Sequence, residues 1–195
     1  MKVLILVDLQ NDFIDGVLGT NEAQAIVPKV VNMIKEYSAT YGNEMLVFLT
    51  KDTHMDNYLD TDEGKHLPVE HTIIGTRGWS INDKISEAIK MSNFAVYSSH
   101  EITQGRILKS SFGSLDLAKE LVAIDAKYDI DEIIIAGVCT DKCVISNAII
   151  AKAACPNIPV TVRADCCAGV SPEAHNAALE AMKLCFINVS NQMEN

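Results

Sequence analysis

Three residues of reactive type stand where apolar runs give out. Asp8 closes the run at residues 3–7, where a strand of purely structural purpose would continue with another apolar side chain. An aspartate in such a place forms a turn, caps a helix or accepts a proton. Cys143 falls in Gly137-Val138-Cys139-Thr140-Asp141-Lys142-Cys143, after an apolar run at 133–138 and where a helix should begin. A helix N-terminus presents unpaired N–H groups and partial positive charge, which favour a thiolate and lower a cysteine pKa. The same N–H groups could hold the oxyanion formed when sulfur attacks a carbonyl. Lys109, in Ile107-Leu108-Lys109-Ser110-Ser111-Phe112-Gly113, would add a cation to that thiolate, although alone it reads as a surface lysine. Nucleophile, base and cation together suit acyl transfer.

A second group is Asp52-Thr53-His54, followed by Glu63 and His71. On an extended strand, residues two apart point the same way, so Asp52 and His54 would share a side. A carboxylate and two imidazoles are hard and borderline ligands suited to a divalent metal, with Glu63 a fourth candidate. Histidines in polar loops are more often simply solvated, and His66, His100 and His175 are read that way.

These residues need elements to position them. Short apolar runs at 3–7, 45–50, 133–138, 160–163 and 185–189 read as strands, with a weaker one at 94–97. Segments 23–41, 114–126, 141–154 and 172–184 have helical spacing, and Ser171-Pro172-Glu173 makes a standard helix start. Strands that are apolar throughout and alternate with helices imply a three-layer, Rossmann-like α/β fold, its mainly parallel sheet covered on both faces. No repeat, low-complexity tract or linker interrupts the chain, so residues 1–195 are expected to form one domain. The polar stretch at 52–82 is too long for a bland connection and leaves a strand end, where ligands of parallel sheets bind. It is expected to be the metal and substrate loop.

Composition narrows the partners. The formal net charge is −10 with no basic cluster, which argues against nucleic acid or an anionic membrane as the main partner. No run approaches the roughly 20 apolar residues of a membrane helix, and Asp8 interrupts the N-terminal run too early for a signal peptide. A soluble, cytoplasmic protein is expected. Its six cysteines then read as free thiols, mostly small core residues.

VDLQNDF at 7–13, the lysine segment at 109–113 and GVCTDKCV at 137–144 resemble, in order and spacing, the three signature regions of isochorismatase-like cysteine hydrolases. The likeness spans essentially the whole chain, and it puts Asp8, Lys109 and Cys143 in the family's triad positions. It implies an oxyanion hole from the N–H groups of Cys139 and Cys143, with a cis peptide bond between Val138 and Cys139. The stretch from Asp52-Thr53-His54 to His71-Thr72-Ile73-Ile74-Gly75-Thr76 looks like the metal set of the nicotinamidase branch. That branch implies deamidation of nicotinamide in NAD salvage and a metal on Asp52, His54 and His71, with Glu63 near a further ligand position. The metal is expected to be zinc, with manganese and iron as alternatives. Leu67 stands where the branch commonly has an aromatic residue, and Cys139 where it has a smaller one; Phe13, Trp79 and Phe112 remain to form substrate walls beside Leu67. The expected partners are a small-molecule amide and further copies of the chain, as a dimer or tetramer. Hydrolysis of another small amide or carbamoyl compound is the near alternative. A thiol redox or metal-binding protein, using Cys139, Cys143 and the vicinal Cys166-Cys167, is the distant one: C-x3-C is poor redox spacing, and the hard-ligand loop would have no role.

Overall fold

A computed structural model describes residues 1–95 and 105–192 of the chain. Six strands form one parallel sheet: β1 (Lys2–Val7), β2 (Met45–Asp52), β3 (Arg106–Lys109), β4 (Glu132–Val138), β5 (Val160–Ala168) and β6 (Asn188–Ser190), in the order β3-β2-β1-β4-β5-β6. The helices are α1 (Asn11–Ile14), α2 (Asn21–Tyr41), α3 (Asp62–His66), α4 (Asp83–Lys90), α5 (Leu115–Tyr128), α6 (Ile145–Ala154) and α7 (Pro172–Leu184). Every residue of β2 is buried, and β1 and β4 are buried after their first residue, as strands covered on both faces must be. Helices α2 and α4 pack together, as do α5 with α6 and α6 with α7. Right-handed crossovers place the first pair on one face and the other three opposite.

The strand order reverses at β1, so the connections leaving β1 and β4 diverge at their carboxyl ends and open a crevice there. Asp8 follows β1, and the segment 139–143 follows β4, at this point. Gly137 (φ 142°) makes the approach of the two strands feasible, because a Cβ there would collide with the Val7 carbonyl.

Four boundaries differ from the pattern reading. β5 runs on to Ala168 because the register shifts between Ile135 and Gly137, which brings Cys167 and Ala168 opposite Gly137 and Val138. Helix 141–154 opens as a π turn over Thr140–Val144 before α6 proper. The last strand starts at Asn188, since Leu184 and Phe186 are exposed and Phe186 turns at φ 58°. The weak strand at 94–97 lies partly outside the described residues, although Ala95 bridges to Leu46. β3 and α4 were not anticipated; β3 has only four residues, two of them charged. Among the described residues no helix is long and apolar enough to cross a membrane.

Candidate active site

Asp8 just past β1, Lys109 at the end of β3 and Cys143 in the π turn after β4 meet in the crevice. Asp8 takes a left-handed turn (φ 49°) and donates its N–H to the Thr50 carbonyl at 3.2 Å. The Thr50 hydroxyl donates to Asp8 Oδ1 at 2.7 Å, while Asp8 Oδ2 lies 2.6 Å from Lys109 Nζ. The same ammonium lies 3.3 Å from Asp52 Oδ1, 3.5 Å from Cys143 Sγ and 3.0 Å from the Ser111 carbonyl. Pairing of β2 with β3 puts Asp52 directly opposite Lys109. All four side chains are buried.

Burial sets the protonation of this group, and one expectation changes. Burial, the Asp8 carboxylate and Asp52 push the Cys143 thiol well above its ordinary range, against the pull of Lys109. This direction is opposite to the lowering expected from a helix N-terminus, because one cation faces two carboxylates in a buried site. Burial also raises Asp8, though Lys109 and Thr50 oppose it, so Asp8 is a stronger base than an ordinary aspartate. Burial works against the Lys109 charge, but the carboxylates of Asp8 and Asp52 outweigh it and hold its proton firmly.

The metal candidates adjoin this cluster through Asp52. His54 Nε2 and His71 Nε2 lie 3.0 and 3.5 Å from Asp52 Oδ2, and the ligand atoms of all three residues lie within 4.8 Å of one another. Glu63 oxygens approach the two rings at 3.9 and 3.8 Å. His71 Nδ1 lies 2.7 Å from the Val69 carbonyl, a contact that requires a proton on that nitrogen and turns Nε2 toward Asp52. Among the described residues the buried Nε2 of His54 has no hydrogen-bond partner, since its approach to Asp52 is not aligned as one. Burial alone would raise Asp52; the two histidines and Lys109 outweigh it and keep the carboxylate ionised. Two imidazole nitrogens and a carboxylate oxygen gathered within 4.8 Å are a donor set that fits a divalent cation of zinc type.

Residues 2–194 match the isochorismatase domain family. The chain belongs to the isochorismatase family. An isochorismatase family protein of Bacillus subtilis is 31% identical over 156 residues, 76% of each chain. The nicotinamidase/pyrazinamidase of Mycobacterium tuberculosis is 28% identical, covering 97% of this chain and 98% of its own. Among solved structures, the pyrazinamidase of Pyrococcus horikoshii in complex with zinc superposes with a TM-score of 0.73 at 26% identity, covering 98% and 99% of the two chains.

The other residues singled out in this isochorismatase-family sequence fall in different places. Phe13 is buried with its ring edge-on to His71, centroids 5.5 Å apart. Phe112 is 42% exposed at the rim, with Lys142 Nζ 5.2 Å from its ring centre. Leu67 contributes its carbonyl, which accepts from the Tyr58 hydroxyl at 2.9 Å. Trp79, expected on the substrate wall, is not brought to the cluster. Its indole donates to Thr53 and its ring lies under Lys51, so it contacts the odd-numbered residues, which project away from Asp52 and His54. Cys139 is half-buried, its peptide bond to Val138 is cis, and burial pushes its thiol up to about 12. His66 is exposed; His175 is instead half-buried and 2.7 Å from the Thr140 hydroxyl; His100 lies outside the described residues.

Several supporting residues escaped the sequence reading. Gln10 clamps the Asp52 backbone from both sides, accepting from its N–H and donating to its carbonyl, each at 2.8 Å. The Thr72 hydroxyl donates to Asp52 Oδ2, and the Asp12 carboxylate accepts the Thr72 N–H. Tyr58 is fully buried, with its ring centre 4.6 Å from that of His54 and 4.9 Å from that of His71. Asn147 ties the Cys143 and Phe112 carbonyls together. Gln10 and Asp12 lie inside the motif at 7–13, so their place in a signature was their one visible signal.

Proposed function

We propose that this chain hydrolyses a primary carboxamide to its acid and ammonia, with nicotinamide as the first substrate to test. Catalysis would run through a thioester on Cys143, within one hydrolase domain. One observation carries the reading: the Lys109 ammonium contacts Asp8, Cys143 and Asp52 at once, so the nucleophile and the metal set form one buried group. Nicotinamidases among the relatives support the choice of substrate.

In this mechanism Asp8 accepts the Cys143 proton as sulfur attacks the amide carbon. Burial raises Asp8, which makes it a stronger acceptor for that proton than an ordinary aspartate. Backbone N–H groups of Cys139 and Cys143 take the oxyanion. Asp8 then returns the proton to the departing nitrogen, because an amide anion is too basic to leave unaided. Water attacks the thioester, giving a proton to Asp8; the acid leaves and the thiol is restored. Lys109 keeps its proton throughout and offsets the negative charge that moves between Asp8 and sulfur. A divalent ion on Asp52, His54 and His71, proposed to be zinc, would supply a Lewis-acid contact for a ring nitrogen and fix the ring's orientation. Phe13 would wall the ring.

The test is ammonia release by the metal-loaded enzyme from nicotinamide, pyrazinamide, benzamide and small carbamoyl compounds. Preference for the two amides with a ring nitrogen is expected. Equal rates with benzamide would remove the proposed ring contact, and activity confined to carbamoyl compounds would replace the carboxamide reading.

A further inference from the structure

The two faces of β2 carry opposite charges. Thr50 and Asp52 project into the active site, whereas Leu49 and Lys51 project to the face that α4 covers, where Arg106 and Leu108 of β3 are their pairing partners. A cleft of about 720 Å³ opens there, between this pair of strands, Trp79 and the side of α4. Lys51 is only 5% exposed, yet among the described residues it has no ion-pair partner; its ammonium sits 2.9 Å above the centre of the Trp79 ring. Arg106 is close enough for its charge to act on Lys51, and it too has no ion pair among the described residues. Lys90, at the end of α4, adds a third cation to the lining. Asp83 lines the same cleft and makes no ion pair with Lys51 or Arg106 among the described residues. In a chain of net charge −10, this is a local excess of positive charge.

Two neighbouring cations with no carboxylate paired to either among the described residues repel each other, and a cation–π contact offsets only part of that cost. Arg106 adds a planar fork to that point charge, and a fork with an ammonium is the donor pair that suits a phosphate group. The apolar wall from Leu49, Leu108 and Ile89 leaves room for an organic body beside it. From these observations we infer that the cleft between β2, β3 and α4 is a second ligand site, binding a phosphate group between Lys51 and Arg106. The site is separate from the hydrolytic one. It does abut it, because the Trp79 indole N–H holds the hydroxyl of Thr53, between Asp52 and His54.

Trp79 is the only tryptophan of the chain, so its emission reports on the cleft directly. The full-length protein would be titrated with inorganic phosphate and with phenyl phosphate at constant ionic strength, following heat by calorimetry and Trp79 emission in parallel. Saturable binding of at least one probe is expected, weakened by about tenfold or more in Lys51→Met and in Arg106→Gln. Arg106 is exposed, so its variant tests the site even if Lys51→Met folds poorly. Binding of inorganic phosphate alone would make the ligand a free phosphate; binding of phenyl phosphate alone would make it an organic phosphate using the apolar wall. No saturable heat with either probe, or unchanged affinity in Arg106→Gln, would overturn the proposal.

Discussion

The cluster around Lys109 and the group formed by His54 and His71 share the Asp52 carboxylate but are built on opposite principles. Around Lys109, charge is paired within the protein: one ammonium meets Asp8 and Asp52, and the Thr50 hydroxyl takes up the other Asp8 oxygen. Around His54 and His71, it is not. Two imidazole nitrogens face a carboxylate, and among the described residues the buried His54 nitrogen has no hydrogen bond. Among the described residues each region holds one buried atom without a hydrogen bond, but Asp8 Oδ2 lies 2.6 Å from the Lys109 ammonium whereas His54 Nε2 faces only carboxylates, so the second region makes sense as a place awaiting a cation. The cluster should therefore tolerate loss of metal, and the metal set should not tolerate loss of a ligand without losing its ion.

The largest effect that would break this contrast is removal of the shared cation. Lys109→Met leaves Asp8 and Asp52 buried without their partner, so stability should fall by about 3–5 kcal/mol. Turnover should fall by about a hundredfold or more. Denaturant unfolding and steady-state kinetics measure both, and a stable, active variant would show that the pairing is incidental. A smaller effect is expected from His71→Ala. It should lower the content of bound metal and raise KM, with kcat less affected, because in the proposed mechanism the metal would position the substrate and not supply the nucleophile. A variant that keeps its metal and its KM would make the histidines structural.

The smallest effect sharpens the first half of the contrast. A thiol held well above its ordinary range is protonated at neutral pH, so alkylation of Cys143 should rise steadily with pH through 9 and beyond. Peptide mass spectrometry after iodoacetamide treatment at a series of pH values reads the rate at this residue. A plateau near neutral pH would indicate a resting thiolate and restore the helix-terminus reading.

Much of this arrangement is legible in the sequence. Asp8, Cys143, Asp52 and His54 all stand at strand ends, and the ends of parallel strands follow from apolar runs alone. Lys109 was harder, since β3 is only four residues long and carries two charges; the motif around it, not its periodicity, made it visible. The direction of the Cys143 shift is not legible in the sequence, because a helix terminus is a local property, whereas burial beside two carboxylates emerges only from tertiary structure. Trp79 was misassigned for a similar reason. The loop at 52–82 fixes which residues are near, but the alternation of β2 decides which face they reach, and the hydrogen bond to Thr53 put Trp79 on the face opposite Asp52. Gln10 and Tyr58 gave no signal of their own: a buried amide clamping a backbone and a ring packed on two histidines are contacts between distant segments.

The central claim is that Cys143 is the nucleophile and that the paired cluster, not the metal set, performs the bond-breaking steps. It is tested most directly by ammonia release from nicotinamide in Cys143→Ala, with metal content and circular dichroism matched to the parent and Cys166→Ala as control. The account predicts loss of turnover by about a thousandfold or more in Cys143→Ala and little change in the control. Substantial ammonia release by the folded, metal-loaded Cys143→Ala enzyme would contradict it.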